Sequence, residues 1–78
     1  MNKVEIEGKI IQKQKVTGCD MYTIQFDIKG FCGSNRFDVV DMDNRYSLSV
    51  GDVIQAKGKL FSDDYDNPMI LAEDIKTV

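Results

Sequence analysis

The most regular feature of this sequence is the alternation of apolar and polar residues over short stretches. In residues 51–60 the apolar side is formed by Ile54, Ala56, Gly58 and Leu60. A side-chain period of two predicts a half-buried β-strand. Gly58 lies where an apolar side chain should pack, which indicates a bulge or a sharp bend at a barrel corner. We therefore expect this segment to be a strand that coils around a small closed core.

The same period predicts four further strands, in residues 2–12, 22–29, 36–42 and 69–78. In the first of them the apolar face changes sides at Ile11, which predicts a bulge near Gly8. The second has the cleanest alternation in the chain. The third has Phe37 on one face and Val40 on the other, so it is either apolar on both sides or contains a second bulge, and which face is buried stays open.

Short polar segments separate these strands. Residues 13–20 are predicted to form a hairpin loop that holds two lysines, and residues 63–68 an acidic turn. Residues 43–49 are too few for a proper helix and predict one irregular turn. Five short strands with little or no helix indicate an all-β fold, a five-stranded Greek-key barrel of the OB-fold type. The whole chain, residues 1–78, is predicted to form one such domain.

Composition excludes several classes of protein. No apolar run approaches the ~20 residues that span a bilayer, and the N-terminus has no apolar signal core. We therefore expect a soluble, cytoplasmic protein. Cys19 and Cys32 are spaced neither as a zinc knuckle nor as a redox pair, and the sequence has no histidine. Two reduced thiols are expected, with one disulfide as the alternative.

No constellation of catalytic residues emerges from the sequence. Histidine, the commonest general base, is absent, and no glycine-rich loop opens a helix. Asp63, Asp64 and Asp66 form a carboxylate cluster that could hold a hard cation. It lacks the spacing of a known cation loop, so a solvated turn is the better interpretation. We expect no enzymatic activity, no metal and no cofactor.

Four motifs, in chain order, carry a resemblance to a known family. They are Asn2-Lys3-Val4 with Ile6 and Gly8, then Thr23-Ile24-Gln25-Phe26, then Leu48-x-x-Gly51-Asp52 with Ile54, Ala56, Gly58 and Leu60, and finally Ile70-Leu71-Ala72-Glu73-Asp74-Ile75. Together they resemble, over nearly the whole chain, the bacterial single-stranded-DNA-binding proteins. The resemblance implies an OB-fold that binds single-stranded DNA without catalysis.

Three features depart from that family's pattern. The helix between the third and fourth strands is here reduced to a few residues, and the fifth strand is not followed by the family's long, acid-tipped tail. The loop after Leu60 is basic and aromatic in the family, but here it reads Phe61-Ser62-Asp63-Asp64-Tyr65-Asp66. In length and lack of a tail, the chain looks more like the compact primosomal OB-fold proteins related to the same family.

The charge distribution indicates which half of the chain would contact an anionic ligand. The formal charge is −3, but residues 1–40 carry six basic and five acidic groups, whereas residues 41–78 carry four basic and eight acidic groups. Single-strand binders of this fold need a groove of lysines and arginines that tracks the phosphates. The predicted phosphate contacts are Lys3, Lys9, Lys13, Lys15 and Arg36. For any one lysine, a solvated charged face is an equal alternative.

Aromatic faces on which bases stack are the second requirement of such a site. The predicted base contacts are Tyr22, Phe61 and Tyr65. Tyr22 begins the second strand and either packs in the core or caps the groove. Phe31 lies in a glycine-rich turn, where it would stack on a base or contact a second copy of the chain. Tyr65 is the preferred stacking residue, although the aspartates around it would repel phosphate.

We therefore expect non-catalytic binding of single-stranded nucleic acid, DNA rather than RNA, with low sequence specificity. The expected context is replication, recombination or mobile-element processing, with proteins of those processes as further partners and no membrane contact. A homodimer or higher homo-oligomer is expected because one acidic barrel offers few phosphate contacts. The alternative is a protein-interaction module whose acidic second half contacts a basic partner. A continuous positive path across the second and third strands would favour nucleic acid, and a neutral or negative one a protein.

Overall fold

A computed structural model describes residues 3–16, 18–27, 34–62, 65 and 67–78. Five strands account for most of them: β1 (Lys3–Val16), β2 (Cys19–Asp27), β3 (Ser34–Asp41), β4 (Val53–Ser62) and β5 (Pro68–Thr77). The described residues form no helix, and hence none that could cross a membrane. The prediction of an all-β chain with five short strands is confirmed.

The strands close into a barrel in the order β1-β2-β3-β5-β4, and β4 pairs back with β1. Neighbouring strands are antiparallel except for β3 and β5, which run parallel. Five strands joined in this Greek-key order form the barrel called the OB-fold. The fold predicted from the alternation of the sequence is therefore the fold that the chain adopts.

The long first strand serves two neighbours because its register changes in the middle. Its first half pairs with β4 and its second half with β2. The pairing with β2 shifts between Ile10 and Gln12, so the predicted bulge is present and lies a few residues after Gly8. A Cβ on Gly8 would lie 2.8 Å from the carbonyl oxygen of Gln25, closer than side-chain carbons normally come to a backbone oxygen. Glycine at this position lets β1 and β2 pack closely.

Gly58 marks a second irregularity, between β4 and β5. Gly58 pairs with Ala72, whereas the preceding residue pairs with Asp74, so Glu73 is the extra residue of a bulge on β5. A Cβ on Gly58 would overlap the carbonyl oxygen of Leu71. The irregularity predicted at Gly58 is confirmed, and its cause is the close approach of the β5 backbone.

The barrel interior is filled by side chains from the inward side of every strand. The buried apolar residues are Ile10, Tyr22, Ile24, Val39, Leu48, Ile54, Ala56, Ile70 and Ile75. Burying one such large apolar side chain stabilises the fold by about 1.5–3 kcal/mol. On β3, Val39 is fully buried and Val40 only partly, which settles the facing that the sequence left open. Phe37 lies on the inward side with Val39 and packs against the core.

The β1–β2 hairpin is tighter than the sequence suggested. Residues 13–16 and 19–20, which we expected in a loop, belong to the two strands, and Gly18 lies in the turn with a φ of 80°. Lys13 and Lys15 are therefore strand residues rather than loop residues. Their polar side chains do not prevent strand formation, because their backbone groups pair with β2 while the side chains stay exposed.

Residues 42–52, which we call the connector, join β3 to β4 and pack against the barrel through Tyr46 and Leu48. The hydroxyl of Tyr22 donates to the carbonyl oxygen of Tyr46, 3.2 Å away. The guanidinium of Arg45 donates to the carbonyl oxygen of Glu73 at 3.0 Å, at the bulge on β5. The irregular turn predicted for this segment is confirmed, and its side-chain bonds attach it to β2 and β5.

Candidate nucleic-acid interface

The outer face of β2 and β3 is defined by the pairing between these strands. Directly opposite residues of an antiparallel pair project to the same side of the sheet. Tyr22 pairs with Val39, and both are fully buried, so the residues on either side of Tyr22 project outward. The register then arranges Met21, Thr23 and Gln25 of β2, with their partners on β3, in three rows that cross the barrel from strand to strand.

The first row, which we call the cationic row, consists of Lys9 on β1, Gln25 on β2 and Arg36 on β3. Gln25 is the direct partner of both Lys9 and Arg36. Both basic side chains are exposed, and within the described ranges neither forms an ion pair. Neighbouring strands are about 4.8 Å apart, and β2 lies between β1 and β3. The backbones of Lys9 and Arg36 are therefore about 10 Å from each other. The structure thus brings two of the predicted phosphate contacts together.

The second row, which we call the polar row, is Gln12 on β1, Thr23 on β2 and Asp38 on β3. The hydroxyl of Thr23 donates to the carboxylate of Asp38, with 2.9 Å between the two oxygens. Asp38 introduces one negative charge among neutral amide and hydroxyl groups. The described part of this face is therefore neither a continuous positive path nor an acidic one.

The third row, which we call the apolar row, has Met21 on β2, Val40 on β3 and Leu71 on β5 at its centre. All three side chains are partly exposed. Gln14 of β1 pairs with Met21 at one end, and Lys59 of β4 pairs with Leu71 at the other. The sequence-based reasoning did not assign these residues to a binding site, because the parallel pairing of β3 with β5 leaves no signal in the local pattern.

Lys13 and Lys15 lie on β1 beyond the bulge, and their partners are Tyr22 and Asp20 on the inner side of β2. The ammonium of Lys13 donates to the carbonyl oxygen of Leu48 at 3.1 Å and lies 5.6 Å from the centre of the Tyr22 ring. These contacts give Lys13 a structural role, as a link between β1 and the connector. Neither lysine belongs to the three outward rows.

Lys3 lies at the start of β1, in the half that pairs with β4 rather than with β2. It pairs with Lys59 of β4, and its ammonium forms an ion pair with Glu73 at 3.2 Å. Both side chains of this pair are about half exposed, so it adds little to stability. The pairing neutralises Lys3 locally, and this lysine is not brought together with the cationic row.

Tyr22, a predicted base contact, was expected either to pack in the core or to cap the groove, and the structure shows that it packs in the core. Its side chain is fully buried, so no face of the ring is available to a base. Burial, together with the charge of Asp20, raises the pKa of the Tyr22 hydroxyl above its usual value. The alternation of β2 had placed Tyr22 on the same face as Ile24, which is the core face, and packing prevails over capping.

The two other predicted base contacts lie around the turn between β4 and β5. Tyr65 is 85% exposed, as expected for a stacking residue, and its role stays a prediction. Phe61 belongs to β4 and its backbone pairs with Met69, but its side chain lies outside what the structure describes. The expectations for Phe31, for Cys32 and for the cluster of Asp63, Asp64 and Asp66 also concern residues outside the described ranges.

Two carboxylates lie next to each other on the inner side of the barrel, an arrangement that the sequence pattern did not predict. Asp20 of β2 and Asp41 of β3 are direct partners, and both are buried. Asp41 accepts a hydrogen bond from the backbone N–H of Tyr46 at 3.0 Å. Within the described ranges, Oδ1 of each carboxylate has no hydrogen-bond partner. The same ranges contain no group of three or more acidic or cysteine side chains that could hold a metal ion.

The barrel is similar to several solved structures. It matches the second single-stranded DNA binding protein of Mycobacterium smegmatis with a TM-score of 0.67 and 16% identity, over 97% of this chain and 87% of that one. It matches the small single-stranded DNA-binding protein of Streptomyces coelicolor with a TM-score of 0.63 and 20% identity, over 100% and 95% of the two chains. The chain has their fold.

A third similar structure is the Stn1-ten1 complex of S. pombe, with a TM-score of 0.72 and 20% identity. The match covers 100% of this chain but 59% of that one. The sequence matches no protein-family model and no curated protein. At these identities the similarity establishes the OB-fold, and function has to be argued from the residues on the surface.

Proposed function

We propose that this protein binds single-stranded DNA without catalysis and with low sequence specificity. The observation that carries the proposal is the cationic row, in which Lys9 and Arg36 are exposed on either side of Gln25. The row crosses β2 and β3, the face on which OB-folds bind oligonucleotides. The two similar bacterial proteins are described as single-stranded DNA-binding, which supports the same ligand class for this chain.

The chemistry of the three rows suits a strand that is held mainly by its backbone. Arg36 can grip a phosphate through two N–H groups at once, and Lys9 acts as a point charge. Neutral groups such as Gln12 and Thr23 can donate to phosphate or sugar oxygens, contacts that position a strand without reading its sequence. Tyr65, which is largely exposed between β4 and β5, remains the proposed stacking residue.

Two cations on one face make a weak site, because affinity for a single strand rises with the number of phosphates neutralised. We therefore propose that the protein acts as a homodimer or higher homo-oligomer, in which several cationic rows hold one strand. Replication, recombination or mobile-element processing in the cytoplasm is the proposed setting, with proteins of those processes as further partners. Light scattering after size exclusion measures the oligomeric state directly, and a monomer at all concentrations would contradict this part of the proposal.

The rival is a protein-interaction module that contacts a basic partner. The described part of the β2–β3 face is not the continuous positive path expected for nucleic acid, because Asp38 interrupts it, and this favours the alternative together with the eight acidic residues among residues 41–78. One of the similar structures is a complex of Stn1 with ten1, which shows an OB-fold barrel in a protein assembly. Under this alternative, the cationic row would be a solvated surface without a ligand.

A titration of fluorescently labelled oligo-thymidine at low ionic strength tests the proposal. We expect saturable binding that weakens as salt is added, and weaker binding to a duplex of equal length. Absence of binding at protein concentrations on the order of tens of micromolar would overturn the proposal, because even non-specific binders associate in that range. Polylysine serves as the second ligand: binding to polylysine without binding to the oligonucleotide would support the protein-interaction alternative.

A further inference from the structure

We propose that the apolar row is a base-contact subsite that prefers thymine to uracil, so that the protein distinguishes DNA from RNA partly by a methyl group. This inference rests on the proposed function, because it concerns the bases of the same bound strand. Its residues are Met21, Val40 and Leu71, none of which the sequence pattern marks as a ligand contact.

The pairing of three strands places these side chains in one line. Met21 pairs with Val40 across β2 and β3, and Val40 pairs with Leu71 across β3 and β5. At about 4.8 Å per strand, the line is about 10 Å long. Each side chain is partly exposed, so each has apolar surface left for a ligand to cover.

The surroundings of the row indicate what kind of ligand covers it. Gln14 lies at one end and Lys59 at the other, next to Leu71. The neighbouring row carries Thr23 and Asp38, whose side chains are hydrogen-bonded to each other. On β5 the partly exposed Met69, which pairs with Asp38, lies in that neighbouring row, and on the other side Met42 is 55% exposed with its sulfur 3.8 Å from that of Cys19. The apolar surface therefore extends over about six side chains, with an exposed cation, Lys59, beside Leu71. An uncharged flat group attached to an anionic backbone fits this arrangement.

The dimensions argue against a protein as the occupant. A stable protein–protein interface covers about 800 Å² on each partner. About six side chains are far fewer than the roughly 20–30 residues that each partner contributes to such an interface. A nucleic-acid base needs only one or two of these side chains, and the phosphate attached to it can reach Lys59.

The chemistry of the row favours a base that carries a methyl group. Met21, Val40 and Leu71 offer aliphatic and thioether groups but no aromatic face, so they cannot provide the stacking platform found in most single-strand binders. Apolar side chains recognise thymine through its C5-methyl group. Uracil lacks this group. The free energy gained by burying one methyl corresponds to about fourfold tighter binding of thymine than of uracil for each contacted base.

Oligonucleotides of thymidine and of deoxyuridine, equal in length, test this directly because they differ only in the methyl. We expect wild-type protein to bind the thymidine strand at least fourfold more tightly. Val40→Thr places a hydroxyl in the row with almost no change of shape, and we expect it to reduce the ratio towards one. Val50→Thr makes the same change in the connector, at a position that is 60% exposed and belongs to none of the rows, and it should keep the wild-type ratio.

Thermal melts show whether the variants fold. If Val40→Thr does not fold, Met21→Gln provides a second variant of the row. Equal binding of the two strands by wild-type protein would overturn this inference while leaving the proposed function intact. Binding of neither strand would overturn the proposed function and, with it, this inference. A thymidine preference that survives both row variants would also overturn the assignment, because the methyl contact would then lie elsewhere.

Discussion

The hydroxyl of Tyr22 donates a hydrogen bond to the carbonyl oxygen of Tyr46, 3.2 Å away. Tyr22 belongs to β2 and is fully buried, whereas Tyr46 belongs to the connector and packs against the core. This bond therefore joins the barrel interior to the connector. An aromatic residue that the sequence suggested as a ligand contact is instead part of what holds the fold together.

Replacing Tyr22 by phenylalanine tests this structural role. Tyr22→Phe keeps the ring but removes the donor, which leaves the carbonyl oxygen of Tyr46 without this partner. We expect the free energy of unfolding to fall by about 1 kcal/mol, measured by urea denaturation. Tyr65→Phe is the matched control, because Tyr65 is largely exposed and water replaces any bond its hydroxyl makes. An unchanged stability of Tyr22→Phe would contradict the assignment.

The same hydroxyl predicts a loss of stability at alkaline pH. Burial and the charge of Asp20 raise the pKa of Tyr22 above its usual value near 10. Because the folded pKa is higher than the unfolded one, folding favours the neutral phenol. This contribution is complete below the unfolded pKa and is lost as pH rises through the folded pKa. Stability of the wild type should therefore fall more steeply above pH ~10 than that of Tyr22→Phe, and equal slopes would disprove this.

Gly58 should tolerate no side chain. In Gly58→Ala the new Cβ would overlap the carbonyl oxygen of Leu71, so the backbone of β5 has to move. We expect a loss of about 1–3 kcal/mol in the free energy of unfolding, as for an overpacked core. Lys57→Ala introduces the same residue at the preceding, exposed position and should change stability little. A Gly58→Ala protein as stable as Lys57→Ala would contradict the close approach of β5.

The buried pair of Asp20 and Asp41 predicts a stabilising substitution. Asp41→Asn keeps an oxygen that can accept from the backbone N–H of Tyr46, and it removes one of two buried like charges. The new amide can also donate to the carboxylate of Asp20, whose Oδ1 has no partner within the described ranges. Because burying a charge is costly, we expect stability to increase by about 1 kcal/mol or more.

The matched control for this pair is Asp43→Asn, two residues away and exposed, which should leave the melting temperature unchanged. A lower melting temperature for Asp41→Asn than for Asp43→Asn would show that the negative charge of Asp41 stabilises the fold. Calorimetry of both variants at neutral pH compares them under identical conditions.

The fold could be predicted from the sequence because barrel strands alternate, and the alternation was clear. Gly58 even indicated where the sheet bends, because a missing side chain on an otherwise apolar face means that something else occupies the space. The polar segment from Lys13 to Asp20 was misinterpreted as a loop. Polar side chains occur both in loops and in the exposed ends of strands. The ends of the two hairpin strands could therefore not be predicted from the residue types.

The candidate site could be predicted only in part, because it depends on register. The bulge after Ile10 moves Lys13 and Lys15 to the inner side of β1, away from Lys9. A one-residue shift reverses the facing of every later side chain, and local pattern does not locate it to the residue. The parallel pairing of Val40 with Leu71 joins positions far apart in the chain, so the apolar row became apparent only from the structure.

The central claim is that Lys9 and Arg36 contact the phosphates of a single strand. Lys9→Gln/Arg36→Gln removes both charges of the cationic row. Lys57→Gln/Lys76→Gln removes two exposed lysines from β4 and β5, so the two double variants have the same net charge. Comparing the two variants separates the effect on affinity of where the charges lie from the effect of how many charges are removed.

The decisive measurement is the affinity of wild type and both double variants for oligo-thymidine as a function of salt concentration. The proposal predicts that the cationic-row variant binds at least about tenfold more weakly at low salt, and that its log–log salt slope is shallower by about 1.4, for two lost phosphate contacts. The β4–β5 variant should retain the wild-type slope. If the two variants lose affinity and slope equally, the cationic row is not the phosphate-binding site.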